Sequence, residues 1–302
     1  MLVVAALGGN ALLRRGEPMT TEVQRANVAR AAGALAALVR VGHDLVVTHG
    51  NGPQVGLLAL QGAAFRPDAP DPLDVLGAET EGMIGYLIEQ ELENALGHDR
   101  PVAALLTQVL VDPADPAFAR PTKPVGPSYS EAEAKALAAQ RGWTIAPDGA
   151  SWRRVVPSPR PIEIPDLRVI QLLLSQGVIV ICAGGGGIPV VRRGDGSLAG
   201  VEAVIDKDHA SALLAHGLGA DALLMLTDVD GVMEGFGTSA ARRIPRLSAV
   251  EAGQLALPEG SMGPKVAAGL NFVAKGGRLA GIGRMEDATA ILNGSAGTII
   301  SA

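Results

Sequence analysis

The sequence predicts an α/β fold in which helices cover both faces of a mainly parallel β-sheet. Short, continuously apolar runs alternate with longer segments of helical periodicity, and glycine-containing loops follow several of these runs directly. Hydrophobic residues make up 48% of the 302 residues and charged residues 19%, so the chain can bury a sizeable core. This length fits one large α/β unit or two domains, and the composition excludes intrinsic disorder.

The clearest apolar runs are predicted as strands of this sheet, because runs buried on both faces are continuously apolar rather than alternating. They are residues 2–7, 44–48, 102–107, 178–182 and 223–227.

Two helices are predicted among the early strands. The first begins at a capping box formed by Thr21 and Gln24, and Gly42 ends it two residues before the next strand. The second spans about residues 78–96. The inward faces are predicted from apolar residues at helical spacing: Val28, Ala31, Leu35 and Leu38 in the first helix, and Ile84, Leu87, Ile88 and Leu92 in the second.

Residues 112–165 are predicted to leave the main sheet. This segment contains ten prolines, few of which can join a ladder or a helix interior, and only residues 131–141 have a helical pattern. The segment also carries Tyr129, Trp143 and Trp152, large side chains that disordered insertions usually lack. We therefore expect a small subdomain here rather than a disordered surface insertion.

Charge, cysteine content and hydropathy exclude several classes of protein. A net charge of −6 argues against a general nucleic-acid or acidic-membrane binder, and the single Cys182 excludes an intramolecular disulfide or a CxxC metal site. Residues 169–191 carry no charge, but their glycine run and Pro189 argue against a membrane span. No basic residues precede the apolar N-terminal run, which argues against a signal peptide. We expect a cytoplasmic protein that binds neither nucleic acid nor membrane.

Four predicted strands run directly into glycine-bearing loops. Ligands of open parallel sheets bind outside the carboxyl ends of the strands, where glycines let backbone amides approach an anion closely. A single such loop is ordinary turn chemistry, whereas four at equivalent places predict a site for anions. The loops are residues 7–11 (LGGNA), 48–53 (THGNGP), 183–189 (AGGGGIP) and 227–231 (TDVDG).

The common phosphate-binding motifs are missing. No Gly-Lys dipeptide occurs, so there is no Walker A loop, and Pro189 breaks the third position of a G-x-G-x-x-G pattern. A dehydrogenase is therefore disfavoured. HExxH and G-x-S-x-G motifs are also absent.

The lysines give an independent indication of an anion site. Only five of the 25 basic residues are lysines, yet Lys123, Lys207 and Lys265 lie in proline-, glycine- or acid-flanked loops. Lys265 is predicted in the first turn of a helix capped by Ser261, where a cation opposes the helix dipole unless an anion is bound. Asp206 and Asp208 are candidates to pair with these cations, although three ordinary surface lysines remain the alternative.

His49, His209 and Cys182 border the same loops. Neither histidine has metal-ligand spacing to another, and His49 is expected to hydrogen-bond within its own loop. Cys182 is expected to be a buried apolar residue rather than a nucleophile.

Taken together, the motifs resemble the carbamate kinases, a branch of the amino-acid kinase superfamily, over nearly the whole chain. As in that branch, Ala6 and Leu7 stand where other superfamily kinases usually carry a lysine. The motifs are residues 6–12 (ALGGNAL), 47–56 (VTHGNGPQVG), 82–86 (GMIGY), 121–127 (PTKPVGP), 153–159 (RRVVPSP), 200–208 (GVEAVIDKD) and 261–266 (SMGPKV).

The resemblance implies a three-layer αβα sandwich with a small protruding subdomain, assembled as a homodimer. The implied reaction transfers a phosphoryl group reversibly between ATP and carbamate, giving ADP and carbamoyl phosphate, with ATP formation in arginine catabolism through the deiminase pathway. The implied organisation is a single domain over residues 1–302. Residues 1–220 would form the carbamate lobe, including the subdomain at about 112–165, and residues 221–302 the nucleotide lobe.

The resemblance also implies roles for individual residues. Lys207 and Lys265 would clamp the transferring phosphoryl group, Asp208 would orient these lysines, and Lys123 would reach over the carbamate. Mg²⁺ would be held mainly by the nucleotide phosphates, with no metal ligand assigned in the protein. Carbamate or its phosphoryl group would be bound by Gly8, Gly9, Asn10, Gly50 and Asn51, and the nucleotide by Gly186, Gly187, Thr227, Asp228 and Met262.

Three features depart from the family pattern. Glu81 stands where glutamine is common, Ser128 replaces a frequent aromatic residue, and the expected last strand at residues 279–284 is less apolar than usual. The alternative functions are another superfamily kinase acting on N-acetylglutamate, which would need room for a larger acceptor, and a catalytically inactive nucleotide-binding regulator.

Overall fold

The computed structural model describes residues 1–9, 12–14, 16–66, 68–238, 240–255, 257 and 262–301. Its centre is a seven-stranded sheet in the order β16-β15-β12-β1-β2-β9-β3, in which β16 is antiparallel to β15 and all other neighbours are parallel. The strands of this sheet are β1 (Leu2–Leu7), β2 (Asp44–His49), β3 (Val102–Ala104), β9 (Ile179–Ile181), β12 (Ala222–Thr227), β15 (Leu279–Arg284) and β16 (Thr298–Ile300).

The helices lie between the strands along the chain, as expected for parallel crossovers. They are α1 (Thr21–Arg40), α2 (Gly52–Phe65), α3 (Leu73–Leu96), α4 (Glu131–Arg141), α5 (Leu167–Ser175), α6 (Lys207–Leu218), α7 (Ala249–Ala252), α8 (Met262–Ala274) and α9 (Ala288–Leu292). No helix in the described ranges is long and apolar enough to cross a membrane.

The central sheet is buried on both faces. Successive residues of β1 contribute to opposite sides, so that Val3 and Ala5 join one apolar cluster and Val4 joins the other. The first cluster includes buried residues of α1, α3 and α9, and the second includes those of α5, α6 and α8. The predicted three-layer αβα architecture is therefore confirmed.

The predicted strands are present, but several of them begin or end at other residues than predicted. β1 has the predicted bounds, whereas the third predicted strand ends at Ala104 instead of residue 107. The chain turns there and enters a second sheet at Gln108. The expectation that residues 279–284 form the last strand is wrong, because β16 follows and pairs with them in the antiparallel sense.

The two predicted helices also begin at different residues from those expected. The cap of α1 is Thr20 rather than Thr21, since the Thr20 hydroxyl accepts a hydrogen bond from the Val23 amide at 3.4 Å. The helix α3 begins at Leu73, five residues earlier than expected, and the Leu73 amide donates to Glu202 Oε2 at 2.8 Å. Glu202, which accepts from the first amide of α3, is distant in the sequence, so a local sequence pattern does not reveal this start of the helix. Gly42, at φ +90°, follows α1 as predicted.

Residues 112–165 lie outside the main sheet, as predicted, and most form regular structure. β5 (Lys123–Tyr129), β6 (Thr144–Asp148) and β7 (Ser151–Val156) make a three-stranded antiparallel sheet in the order β5-β7-β6, next to α4. Few of the prolines were expected to join a ladder, and three of them do: Pro124, Pro147 and Pro161. All three lie on edge strands, where proline is tolerated.

A further four-stranded sheet lies beside the central one, in the order β11-β10-β4-β8. It is formed by β4 (Gln108–Val111), β8 (Pro161–Glu163), β10 (Ile188–Arg192) and β11 (Leu198–Gly200). The short hairpin of β13 (Met233–Glu234) and β14 (Arg242–Arg243) follows β12.

Candidate active site

The four glycine-bearing loops leave adjacent strands of the central sheet at their carboxyl ends. β12, β1, β2 and β9 are consecutive neighbours and mutually parallel, so the loops that follow them emerge along one edge. The structure thus brings Gly8, Gly50 and Thr227 to the same edge of the sheet. Such an edge is where ligands of open α/β sheets bind.

The glycines after β1 and β2 shape this edge through close backbone approach. The amide of Gly8 donates to Leu226 O at 2.8 Å, and that of Gly50 donates to Leu7 O at 3.1 Å. A Cβ on Gly8 would lie 3.0 Å from Leu226 O, and one on Gly50 would lie 3.3 Å from the Gly9 amide nitrogen. These two amides are therefore used within the fold and are not free to bind an anion.

Other amides remain available for an anion. The helix α2 begins at Gly52, directly after Asn51. The first-turn amides of Gly52 and Gln54 have no partner within the helix, whereas Pro53 has no N–H to donate. Among the described residues, none accepts a hydrogen bond from the Gly9 amide. Asn10, which sequence analysis assigns to the same pocket, lies outside the described residues.

Two lysines converge on one buried carboxylate beside these loops. Lys265 Nζ lies 2.9 Å from Asp208 Oδ2, and Lys207 Nζ lies 3.4 Å from Asp208 Oδ1. Lys207 Nζ also donates to Leu7 O at 2.9 Å, at the end of β1. The side chains of Lys207, Lys265 and Asp208 are 11%, 13% and 5% exposed, so these charges face one another rather than bulk water.

Burial and neighbouring charges shift the pKa values of this cluster. The pKa of Lys207 is lowered to about 8: burial is the largest cause, Asp208 opposes the shift, and the nearby Lys265 adds to it. Burial alone would raise the pKa of Asp208, but Lys207 and Lys265 outweigh it and the pKa is lowered. Asp208 is therefore an anion that holds two cations close together before any substrate binds.

Lys123 reaches the same helix from the subdomain. Its Nζ lies 2.5 Å from Asp206 Oδ2, while Asp206 Oδ1 caps α6 by accepting from the amides of Asp208 and His209 at 2.9 and 3.3 Å. Burial alone would raise the pKa of Asp206, but Lys123 outweighs it and the net shift is downward. Sequence analysis proposed that Asp206 pairs with a cation but missed its cap; an aspartate just before a helix is the signal for one.

The loop after β9 is held by a buried carboxyl of α3. Glu81 Oε1 accepts from the Gly184 amide at 2.7 Å, and Oε2 accepts from the Thr107 amide at 3.1 Å. Burial raises the pKa of Glu81 to about 8, against the effect of these two hydrogen bonds. The preceding Ala183 has φ +50°, a conformation that costs free energy for a residue with a Cβ. Glu81 therefore fixes a strained turn, a role that its sequence position did not reveal.

Gly186 and Gly187 lie apart from the other predicted nucleotide ligands. A Cβ on Gly186 would lie 2.4 Å from Ile205 O, and one on Gly187 would lie 2.3 Å from Val109 Cγ2. Both glycines thus allow close packing in the interior. Their loop follows β9, three strands from β12, which corresponds to about 14 Å. Nucleotide binding by these two glycines stays a prediction, and the structure does not bring them together with Thr227.

The end of β12 and the start of α8 carry the remaining predicted nucleotide ligands. Thr227 donates to Asp228 Oδ1 at 3.1 Å, and Met262 is the first residue of α8. Lys265 lies in the first turn of that helix, as predicted. The predicted cap Ser261 lies outside the described residues.

His49 and Cys182, near the site, are both buried and uncharged. His49 Nδ1 hydrogen-bonds Gly50 O at 3.1 Å, which confirms the predicted contact within its loop, and burial lowers its pKa to about 4. Burial raises the pKa of Cys182, so the thiol stays protonated, as expected for an apolar residue. The described residues contain no group of three or more His, Cys, Asp or Glu side chains that could hold a metal ion.

Comparison with known proteins identifies many relatives. The model of the amino acid kinase family matches residues 1–282. Carbamate kinase from Rhizobium meliloti is 55% identical over 303 residues, covering all of this chain and 93% of the relative. Carbamate kinase from Escherichia coli K12 is 50% identical and covers 99% of both chains.

Solved structures agree with these sequence relatives. Carbamate kinase from Giardia lamblia bound to AMP-PNP is 41% identical, with a TM-score of 0.88 over 99% of this chain and 98% of that one. N-acetylglutamate synthase from Neisseria gonorrhoeae has a TM-score of 0.59 over 99% of this chain and 61% of that one at 17% identity, a likeness that shows the fold alone.

Proposed function

This chain belongs to the carbamate kinases of the amino acid kinase family, and we propose that it transfers the γ-phosphoryl group of ATP reversibly to carbamate, giving ADP and carbamoyl phosphate. The relatives at 50–55% identity over the whole chain support a phosphotransferase of this kind. The observation that carries the proposal is the pairing of Lys207 and Lys265 with Asp208, at the sheet edge where the glycine loops meet.

The chemistry requires positioning and charge neutralisation rather than a general base. In the forward direction a carbamate oxygen, already an anion, forms a bond to the γ-phosphorus while the bond from that phosphorus to the β,γ-bridging oxygen breaks. The electron pair leaves with ADP, so no proton has to be removed from the nucleophile. Two anions must approach each other in line, and fixed ammonium groups and amides offset their repulsion.

The residues of the site divide this work. Lys207 and Lys265 would contact the transferring phosphoryl group, and Asp208 would hold their Nζ atoms at a fixed spacing. The Gly9 amide and the N-terminus of α2 next to Asn51 would face the carbamate end. Lys123 would cover that end from the subdomain when it leaves Asp206.

The nucleotide would lie beside the end of β12. Thr227 and Asp228, at the end of β12, and Met262, in the first turn of α8 with Lys265, would contact it. Mg²⁺ commonly binds substrate phosphates together with one or two protein oxygens, and the hydroxyl and carboxylate at this position fit such a complex. A bound Mg²⁺ would add positive charge to the phosphates.

We extend the proposal to the setting of the reaction. The enzyme would form ATP from carbamoyl phosphate in arginine catabolism through the deiminase pathway, in the cytoplasm. It would act as a homodimer, since the exposed Tyr86 and Leu106 line a cavity of about 370 Å³ between α3 and the edge strand β3, and the exposed Met83 lies on the same helix. Light scattering on the purified protein tests the dimer, and a monomeric mass would contradict it.

One assay separates this function from its alternatives. Purified protein is incubated with ADP and carbamoyl phosphate, and in parallel with ATP and N-acetylglutamate. ATP formation in the first reaction without phosphorylation in the second supports carbamate kinase activity. Phosphorylation of acetylglutamate would favour the related kinase, and no turnover in either reaction would favour an inactive nucleotide-binding regulator.

A further inference from the structure

Thr80 lies on α3 immediately before Glu81 and is fully buried. Its hydroxyl oxygen is 3.0 Å from Leu76 O and 2.9 Å from Gly77 O, both carbonyl acceptors of the same helix. A threonine hydroxyl has one proton and two lone pairs, so this proton is committed to the helix backbone. Towards any other neighbour, Thr80 Oγ1 therefore acts only as an acceptor.

Because Thr80 Oγ1 can only accept, it determines which way the side-chain amide of Asn51 is oriented. Asn51 Nδ2 lies 2.9 Å from Thr80 Oγ1, and only its NH₂ group can donate to a hydroxyl that has no further proton. Gly185 contacts the same amide, because a Cβ at Gly185 would lie 2.2 Å from Nδ2 and 2.6 Å from Oδ1. The amide is thus held between α3 and the glycine loop, and Oδ1 is turned away from Thr80.

The carbonyl oxygen of Asn51 is a hydrogen-bond acceptor in a site made mostly of donors. Asn51 follows Gly50 after β2. Among the described residues its side chain hydrogen-bonds only through Nδ2, and none donates to its Oδ1. Lysine ammonium groups and free backbone amides suit phosphoryl and carboxylate oxygens. An acceptor oxygen suits the other end of the substrate instead, since carbamate carries an NH₂ group where acetate carries a methyl group.

We propose that Thr80 is a positioning residue that turns the Asn51 amide so that its carbonyl oxygen accepts a hydrogen bond from the amino group of carbamate. The inference rests on the proposed function and adds a basis for its specificity. An acyl phosphate with a methyl group at that position leaves Asn51 Oδ1 without a partner, which corresponds to a loss of about 10- to 100-fold.

The test compares two phosphoryl donors in the ATP-forming direction. We measure kcat/KM with ADP for carbamoyl phosphate and for acetyl phosphate, in the natural protein and in Thr80→Val, which keeps the shape but removes the hydroxyl. The ratio of the two values is expected to fall at least about 10-fold in Thr80→Val, with KM for ADP unchanged. Thr80→Ser, which retains the hydroxyl, is expected to restore the ratio.

A matched control separates positioning from general destabilisation. Thr298 is also fully buried, its hydroxyl also donates to a backbone carbonyl, and it lies on β16, remote from Asn51 in the sheet order. Thr298→Val is expected to leave the ratio unchanged. If Thr80→Val does not fold, Thr80→Ala takes its place under the same criteria.

The outcomes distinguish this inference from the function on which it rests. A ratio within about twofold of the natural protein in the Thr80 variant, or an equal fall in Thr298→Val, overturns the inference. Equal use of both donors by the natural protein also overturns it, while leaving the proposed function intact. Absence of any ATP formation from carbamoyl phosphate overturns the proposed function itself.

Discussion

Asp208 is the residue around which the charges of the site are arranged. Each of its carboxylate oxygens faces a different lysine, at 3.4 Å for Lys207 and 2.9 Å for Lys265. Without such a carboxylate, two buried ammonium groups would repel each other and lower each other's pKa. A substrate phosphoryl group can then displace part of this interaction, because it offers more negative oxygens to the same donors.

The lowered pKa of Lys207 predicts a fall in activity at high pH. Lys207 has a pKa of about 8 in the free enzyme and must be cationic to bind a phosphoryl group. We expect kcat/KM for carbamoyl phosphate at saturating ADP to fall as pH rises above about 8, up to tenfold for each pH unit. Lys207→Arg is expected to be less active but to show no fall in kcat/KM at high pH, since arginine stays protonated. A flat profile of the natural protein from about pH 7 to 9.5 would refute the assignment.

The raised pKa of Glu81 predicts how stability depends on pH. A folded-state pKa of about 8, above the ordinary 4.5, means that the stabilising contribution is complete below pH 4.5 and is lost as pH rises through 8. Glu81→Gln lacks this dependence and sets its NH₂ group against a backbone amide, at a cost of about 1–3 kcal/mol. The difference in melting temperature between natural protein and variant should therefore shrink as pH rises from about 4.5 to about 8 and stay constant above that.

Glu79→Gln is the control for this prediction, because Glu79 lies on the same helix and is exposed. Its melting temperature should follow that of the natural protein across the pH range. A Glu81→Gln difference that stays constant across that range would show that the carboxyl of Glu81 titrates normally.

At the scale of elements, a contact between two glycines positions the subdomain. α2 and β5 approach so closely that a Cβ on Gly56 would lie 1.8 Å from Gly126 Cα. Two ion pairs link the same subdomain to the body, Lys123 with Asp206 at 2.5 Å and Arg154 with Glu202 at 3.3 Å. The position of Lys123 over the site therefore depends on how β5 packs against α2.

Gly56→Ala is expected to separate α2 from β5. The added methyl group has no space, so we expect a loss of about 1–3 kcal/mol in the free energy of unfolding. KM for carbamoyl phosphate should rise more than KM for ADP, because Lys123 is displaced at the carbamate end. Thermal melts and steady-state kinetics measure the two effects.

Gly62→Ala on the same helix is the matched control. The nearest atom to its added Cβ would be Asp71 Oδ2 at 3.7 Å, an ordinary contact, and alanine favours helix. This variant should be at least as stable as the natural protein. Equal behaviour of the two variants would show that the glycine contact does not position the subdomain.

At the scale of the whole molecule, local sequence patterns predict individual helices and strands. They do not predict which distant elements these helices and strands contact. β1 and α4 have the predicted bounds, because a continuous apolar run and a capped helical segment are encoded locally. The start of α3 was misplaced because Glu202, 129 residues away, accepts from its first amide. Contacts of that range depend on the strand order, which periodicity does not specify.

In the candidate site too, some residues can be identified from the sequence and others only from the structure. Lys207 and Lys265 stood out because lysine is rare in this chain, and the structure brings both to Asp208. Thr80 did not stand out, and Glu81 stood out only as a departure from the family pattern, because the role of a buried polar residue on a helix is not visible until its partners are known. The division into lobes at about residue 220 stays a prediction, and β12 pairs directly with β1 in one continuous sheet.

Turnover by Lys265→Ala tests most directly whether the lysines on Asp208 perform phosphoryl transfer. We predict that the rate of ATP formation from ADP and carbamoyl phosphate falls about 10²- to 10³-fold while the melting temperature stays near that of the natural protein. Lys275→Ala, an exposed lysine just beyond the same helix, should retain full activity. Near-normal turnover by folded Lys265→Ala would contradict the account.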